Sequence, residues 1–365
     1  MSSKLLLITS KLQASPAGGR ELLCKMNHAA LNSIYSDHLV VFELSHNHCN
    51  QSVSSIINSF RGHIDGLTHQ VVKQILSLIQ FENIDQVFID GSNLGEISKV
   101  IKQKYPNIDI TTFFHNVEVR FFLGSFKQVK TIRSFAILVA NYLAERKSVG
   151  YSDKIVCLNE RDSQLLQKVY GRKATNTSAM ALEDKLPSNF LNLIDPLRKR
   201  YALFVGGDFY ANRVGISWFV KNVAPKINVK VCVVGKGLER YKQELESVEN
   251  VEVIGAVDSL SDWYLNAHFV IAPIFDGSGM KTKVAEALMY GKKVIGTPEA
   301  FSGYEADVDK IGKVCISEAD FIKAIEQIDD MVASSFDKDL RAIYEEKYSS
   351  MATKIRLQAI LNQFS

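Results

Sequence analysis

The stretch Pro273-Ile274-Phe275-Asp276-Gly277-Ser278-Gly279-Met280-Lys281-Thr282-Lys283-Val284-Ala285-Glu286-Ala287-Leu288 is followed by Gly291 and the apolar run Val294-Ile295-Gly296-Thr297. It reads as a strand end, a glycine loop, a helix opening on two lysines, and another strand. Backbone N–H groups at a helix N-terminus have no partners and carry the positive end of the helix dipole, so glycines there let phosphate oxygens approach closely. Lys281 and Lys283 add charge at the same end. The pattern predicts a helix beginning near Gly279 or Met280. Glu286 is then about two turns along on the same face as Gly279, roughly 10 Å away, where a ribose would sit if a diphosphate occupied the loop.

Outward from this segment, short β-branched or leucine-rich runs alternate with helical stretches. They are Leu5–Thr9, Leu39–Leu44, Val87–Asp90, Ile110–Phe114 and Ile155–Leu158, then Ala202–Val205, Val229–Val234, Val251–Ile254, Phe269–Ala272 and Val294–Thr297. Such alternation predicts an α/β protein with parallel sheets covered by helices on both faces. The polar segment 175–200, with Pro187, Pro196 and Arg198-Lys199-Arg200, is the predicted linker. A length of 365 residues accommodates two domains: 1–180 and 200–335. The last thirty residues, 336–365, carry Tyr344, Tyr348, Met351, Ile355, Leu357, Leu361 and Phe364 at near-helical spacing.

At the glycine segment the chain resembles the family-4 glycosyltransferases, retaining nucleotide-sugar enzymes of the GT-B fold. The resemblance implies two Rossmann-like parallel-sheet domains facing a cleft, an acceptor side at the N-terminus, a donor side at the C-terminus, and a final helix, 336–365, packing back on the first domain. It implies that Gly279, Met280, Lys281 and Thr282 contact the donor diphosphate and that Glu286 holds the ribose. Many family members have a glutamate eight positions before that one, helping to hold the sugar; here the position is Ser278.

Four further segments extend the resemblance. Ser15-Pro16-Ala17-Gly18-Gly19-Arg20 follows the first strand, and the family loop there touches the donor phosphate or the acceptor, which makes Gly19 a candidate. His115-Asn116-Val117-Glu118 lies just past a strand's C-terminal end, where ligands gather in doubly wound sheets; the family's histidine at this place contacts the donor sugar. Phe204-Val205-Gly206-Gly207-Asp208-Phe209-Tyr210-Ala211-Asn212-Arg213 is a strand, loop and helix start, where the family brings cations to the diphosphate. Arg213 can grip a phosphate in a bidentate way, with Gly207 in the loop. Gly255-Ala256-Val257-Asp258 falls where related enzymes read the nucleobase through backbone groups, so Val257 marks that place without revealing the base.

Other patterns narrow the function classes. Five cysteines (Cys24, Cys49, Cys157, Cys232, Cys315) are scattered and never form a CxxC, which suits a reducing compartment and predicts neither a disulfide framework nor a zinc site. His46-Asn47-His48-Cys49 has no further ligands at metal spacing and reads as a solvated loop. The apolar run after Met1-Ser2-Ser3-Lys4 is too short for a signal segment, and no uninterrupted 18-residue apolar stretch exists. The net charge of +3 divides into +6 over residues 1–180 (20 Lys/Arg, 14 Asp/Glu) and −3 over the rest (23 and 26). The basic excess lacks the interleaved aromatics of a nucleic-acid groove. Phe121-Phe122-Leu123-Gly124-Ser125-Phe126, followed by Lys127, Lys130 and Arg133, has two readings: a helix lying on an anionic membrane surface, or a core helix with a charged outer face.

The resemblance therefore implies a cytoplasmic enzyme, peripheral to the inner membrane face if the first of those readings holds. It would transfer a sugar from a nucleotide-sugar donor, with a UDP-sugar the expected one, to a glycan or lipid-linked acceptor. His115, Arg213 and Lys281 would act at the reacting bond, with no metal ion and no other cofactor. Two alternatives share the architecture: a sugar-nucleotide 2-epimerase, for which Glu118 is the one placeable acid/base carboxylate, and a non-catalytic partner subunit.

Overall fold

A computed structural model describes residues 3–13, 18–45, 53–195, 200–277 and 279–362. Ser278, Ser15-Pro16-Ala17, His46-Asn47-His48-Cys49, Pro196, Arg198, Lys199 and Phe364 lie outside the described residues. The chain divides into two compact units, Met1–Ala181 with Ser350–Ser365, and Leu182–Ser349.

The first unit is built on a parallel sheet of six strands among the described residues: β1 (Leu5–Ser10), β2 (Leu39–Leu44), β3 (Gln86–Asp90), β4 (Asp109–Phe114), β5 (Lys154–Cys157) and β6 (Asn176–Thr177), in the order β2-β1-β3-β4-β5-β6. Every residue of β1 is buried. Its unbroken Leu-Leu-Leu-Ile run follows from having helices on both faces rather than one face in water. Leu6, Ile8, Val87, Ile89 and Ile110 join Ile75, Ile79, Ile97 and Ile101 of the flanking helices in one core. The strand order reverses beside β1, so the C-terminal ends of β1, β3 and β4 surround a topological switch point.

The second unit repeats the design with β7 (Tyr201–Val205), β8 (Lys230–Val234), β9 (Val251–Gly255), β10 (Phe269–Ala272), β11 (Val294–Gly296) and β12 (Gly312–Val314), ordered β12-β11-β10-β7-β8-β9. All its pairings are parallel. Its switch point lies at β7 and β10, beside the two glycine loops singled out in the sequence.

The segment boundaries differ from the expected ones. The chain returns to the first unit at Ser350 and not at 336: helix Ser350–Leu361 packs on helix Gly19–Tyr35, with Arg356 Nη2 donating to Ala179 O at 3.0 Å. Residues 338–348 stay in the second unit because their polar groups are committed there. Arg341 donates to Asp184 Oδ1 at 2.9 Å and to Met289 O at 3.2 Å, and the buried Tyr344 donates to Leu182 O at 2.9 Å. The expected linker is paired over its first part: Asn176–Thr177 pairs with β5, and Leu182 N donates to Tyr348 O at 2.9 Å. The second unit thus begins at Leu182, ahead of 200. No helix among the described residues is long and apolar enough to cross a membrane.

Candidate functional site

In the second unit the chain leaves β10 through residues 273–281 and enters helix Thr282–Met289. Gly277 and Gly279 have φ of 140° and 66°, a region that side chains with a Cβ avoid. The helix therefore cannot begin at Gly279; it begins at Thr282, behind Lys281 as N-cap without a side-chain cap. The first-turn N–H groups consequently lack the side-chain acceptor that a capped helix would supply. Glu286 is about one turn in, roughly 6 Å along the axis at ~1.5 Å per residue, closer to the loop than expected.

Glu286 is held in place. Tyr264 donates its hydroxyl to Glu286 Oε2 at 2.7 Å, and the Tyr264 ring stacks on Tyr290 with centroids 5.0 Å apart and planes 7° apart. Burial pushes the Glu286 carboxyl above the usual carboxylate range, while Tyr264 and Lys283 oppose the shift. One carboxylate oxygen is thereby occupied, and the residue is only half-buried by area.

The two lysines behave differently from one another. Lys281 Nζ donates to Gly279 O at 3.0 Å and to Glu299 Oε1 at 2.9 Å, bracing the glycine loop while its charge is paired. Lys283 does not add charge at the helix start: it is buried, donates to Asn212 Oδ1 at 2.9 Å and lies 4.5 Å from the Phe204 ring centroid. Desolvation lowers it to about 7, with Glu286 opposing and Lys281 adding to the shift.

Asn212 connects this helix to the other glycine loop, since its Nδ2 donates to Gly207 O at 3.0 Å. A Cβ on Gly215 would come within 1.9 Å of Pro273 O, so helix Tyr210–Asn222 lies directly on the chain leaving β10. Arg213 is partly exposed; its Nη1 donates to Tyr241 Oη at 2.6 Å and to Asp208 Oδ1 at 3.1 Å. Gly207 is exposed, Met280 is buried, and Thr282 and Val257 are half-buried, Val257 just past the end of β9. Gly207, Arg213, Gly279, Met280, Lys281, Thr282 and Glu286 thus gather around the C-terminal edge of β7 and β10. Sequence reasoning missed Tyr264 and Glu299, which belong to no motif, and passed over Asn212, which stands in the quoted Phe204–Arg213 segment beside Arg213.

In the first unit, Gly19 is the exposed first residue of helix Gly19–Tyr35. His115 follows β4 and is buried, with Nε2 2.7 Å from Asp90 Oδ1. Asp90, fully buried at the end of β3, also accepts from Asn27 Nδ2 at 2.9 Å and Thr9 Oγ1 at 3.1 Å. Despite burial, His115, Asn27 and Cys24 keep its carboxyl below the ordinary range. Cys24, Asp90 and His115 offer ligand-type atoms within 4.8 Å of one another, the one such group among the described residues. Burial pushes the Cys24 thiol far up, and it lies against the already paired Asp90. The thiol is therefore protonated in this arrangement and joins the hydrogen-bonded cluster at Asp90.

Residues 199–331 match the family model described as "Glycosyl transferases group 1". Over 298 residues, 77% of this chain and 80% of the relative, the sequence is 25% identical to the UDP-N-acetylglucosamine--N-acetylmuramyl-(pentapeptide) pyrophosphoryl-undecaprenol N-acetylglucosamine transferase of Sulfurihydrogenibium sp. (strain YO3AOP1). Among solved structures, sucrose-phosphate synthase from Thermosynechococcus elongatus superposes with a TM-score of 0.74 at 14% identity, covering 99% of each chain. HepE from Anabaena in complex with UDP gives 0.68 at 11% identity over 99% of this chain and 100% of its own. WaaG, a glycosyltransferase of lipopolysaccharide biosynthesis, gives 0.64 at 15% over 98% and 100%. The two parallel sheets and these neighbours define a two-domain Rossmann-like GT-B fold, and the family match and the relative support a glycosyltransferase.

Proposed function

We propose that this protein is a metal-independent, retaining glycosyltransferase of family 4 that transfers a sugar from a UDP-sugar to a hydroxyl of a saccharide, lipid-linked glycan or protein acceptor. The observation that carries the reading is Glu286, fixed by Tyr264 one turn behind an uncapped helix start and a glycine loop. That arrangement suits a ribose hydroxyl and a diphosphate on neighbouring groups. The acceptor oxygen bonds to the anomeric carbon as the bond from that carbon to the diphosphate oxygen breaks; the acceptor's proton passes to the departing phosphate oxygen on the same face. Charge developing on the diphosphate meets the helix-terminal amides, with Lys281 and Arg213 contributing as phosphate competes with Glu299 and Asp208 for them. His115 positions the transferred sugar. Relatives named for UDP-sugar transfer or seen with UDP support the choice of donor base. Titration with UDP, followed by incubation with UDP-sugars in EDTA and proton NMR of the product anomer, tests the reading. Absence of UDP binding, or an inverted anomer, refutes it.

The acceptor side includes contact with an anionic membrane surface. In helices Glu118–Gln128 and Ile132–Tyr151 and the turn joining them, Phe121, Leu123, Val129, Ile132, Phe135 and Ile137 are exposed beside exposed Lys127, Lys130 and Arg133. Apolar side chains ringed by cations suit the headgroup boundary of an anionic bilayer. Co-sedimentation with phosphatidylglycerol vesicles, but not with phosphatidylcholine vesicles, is the expected result; equal recovery with both removes the membrane component.

A further inference from the structure

The chain leaving β11, residues 297–304, backs the glycine loop at several points. Thr297 N donates to Ala272 O at 3.2 Å and its hydroxyl to Ile274 O, and Glu299 accepts from Lys281 Nζ. A Cβ on Gly303, whose φ is 89°, would come within 2.5 Å of Met280 Cγ, so this backbone lies directly against the loop. Tyr304 ends the segment. It is 1% exposed, and its hydroxyl donates to Lys281 O at 2.9 Å while accepting from the backbone N–H of Ala285. Lys281 O also accepts from Val284 N at 3.2 Å.

Residues 281 and 285 are four apart, the spacing at which an α-helix joins carbonyl and amide directly. Here a tyrosine hydroxyl links the two, and the turn is closed by the tighter bond from Val284 to Lys281. A phenylalanine would fill the same space without pairing either group, so packing alone does not account for the hydroxyl. With Val284 and Ala285 committed inward, the amides that meet an anion are those ahead of them, at Thr282 and Lys283, and their direction follows from how the N-cap residue is held. Lys281 is held at both ends, its side chain by Gly279 O and Glu299 and its carbonyl by Tyr304. The Tyr304 ring in turn packs on the buried Tyr348, with centroids 4.9 Å apart and planes 47° apart, and Tyr348 O accepts from Leu182 N where the second unit begins. Anchored on that ring, the hydroxyl steers the loop rather than following it.

We propose, resting on the glycosyl-transfer reading, that Tyr304 is a positioning residue for the donor diphosphate: its hydroxyl, bridging Lys281 O and Ala285 N, sets the angle at which the helix-terminal amides meet the phosphates. Saturation-transfer NMR and calorimetry of the full chain with uridine and UDP separate the groups involved, since uridine engages only the base and ribose side and UDP adds the phosphates. In Tyr304→Phe, UDP should bind about fivefold or more weakly, the equivalent of one net hydrogen bond. Uridine affinity should stay within about twofold of wild type, because Glu286 keeps its Tyr264 partner. Tyr348→Leu, which keeps the Tyr304 hydroxyl and removes the ring behind it, should lower the ratio of UDP to uridine affinity in the same direction; melting temperatures identify a variant that fails to fold, and the other then carries the test. Equal losses for uridine and UDP would make Tyr304 a packing residue and overturn the proposal. UDP affinity equal to wild type in Tyr304→Phe, with wild-type UDP binding intact, would refute the role of Tyr304 alone. Wild-type UDP binding no tighter than that of uridine would remove the diphosphate seat itself, and the donor reading with it.

Discussion

Replacing Lys283 by methionine tests the interior of the donor-side helix through its pH dependence. The lysine is 6% exposed, and its ammonium has one hydrogen-bond acceptor, Asn212 Oδ1, beside the Phe204 ring. An unfolded lysine titrates at 10.5 and this one at about 7, so between those values the unfolded chain holds more protons and stability rises with pH. This is opposite to a lysine that gains an ion-pair partner on folding. The full slope is about 1.4 kcal/mol per pH unit. At pH 7 the folded lysine is half-protonated, which leaves a gain of about 2 kcal/mol by pH 9. Glu286 resists and Lys281 assists this depression, and both remain in the variant. Trp218 and Trp263, the chain's two tryptophans, both belong to the second unit, so their fluorescence during urea unfolding reports that unit. Wild-type stability minus Lys283→Met stability should climb between pH 7 and 9 and flatten below pH 6. A difference independent of pH would mean that Lys283 is hydrated and charged, and the link from Asn212 to the helix would fail with it.

Glu286→Ala should weaken UDP binding about tenfold or more, since a hydrogen bond to a charged group contributes roughly 1.5–3 kcal/mol, and Tyr264→Phe should weaken it less; calorimetric affinities equal to wild type would remove the ribose assignment. Sugar transfer should survive EDTA, and turnover lost on chelation and restored by magnesium or manganese would contradict the proposed electrostatics. His115→Ala should depress transfer with little change in UDP affinity. It should also destabilise the chain by about 3 kcal/mol, because Asp90 is left buried with its charge and only the neutral donors Asn27, Thr9 and Cys24; unchanged urea stability would show that Asp90 takes up a proton instead.

The sheets were legible because each strand is a short apolar run bounded by polar turns, and ten of the expected runs coincide with strands to within a residue or so. The two strands that escaped notice, Asn176–Thr177 and Gly312–Val314, are edge strands of two and three residues with exposed members. Such strands bury one side only and need no apolar run, so composition carries little trace of them. The segment 338–348 escaped for a different reason. Its apolar spacing marks a buried face without naming what buries it, and the choice of unit is made by Arg341 and Tyr344 finding acceptors at Asp184 and Leu182.

At the site, a motif conveys which residue types converge but not where their side chains turn. The Lys281-Thr282-Lys283 spacing reads as two cations facing one anion; yet with the helix opening at Thr282, residues 281 and 283 project on different sides, one to the loop and Glu299, the other beneath the sheet edge. The positive φ of Gly279 fixes that start, so a residue with a Cβ there would redirect both lysines. Buried carboxylates were the least visible class. Asp90 closes an apolar run and Glu118 and Glu145 stand among mixed residues; what distinguishes them is the cost of desolvation, which exists only once strands and helices far apart in sequence enclose them. Where donors outweigh that cost, as at Asp90, the carboxyl stays below the ordinary range and ties neighbouring strands together; at Glu145 four donors offset only part of it, and at Glu118 burial and Glu145 leave the carboxyl raised against the pull of Arg20 alone.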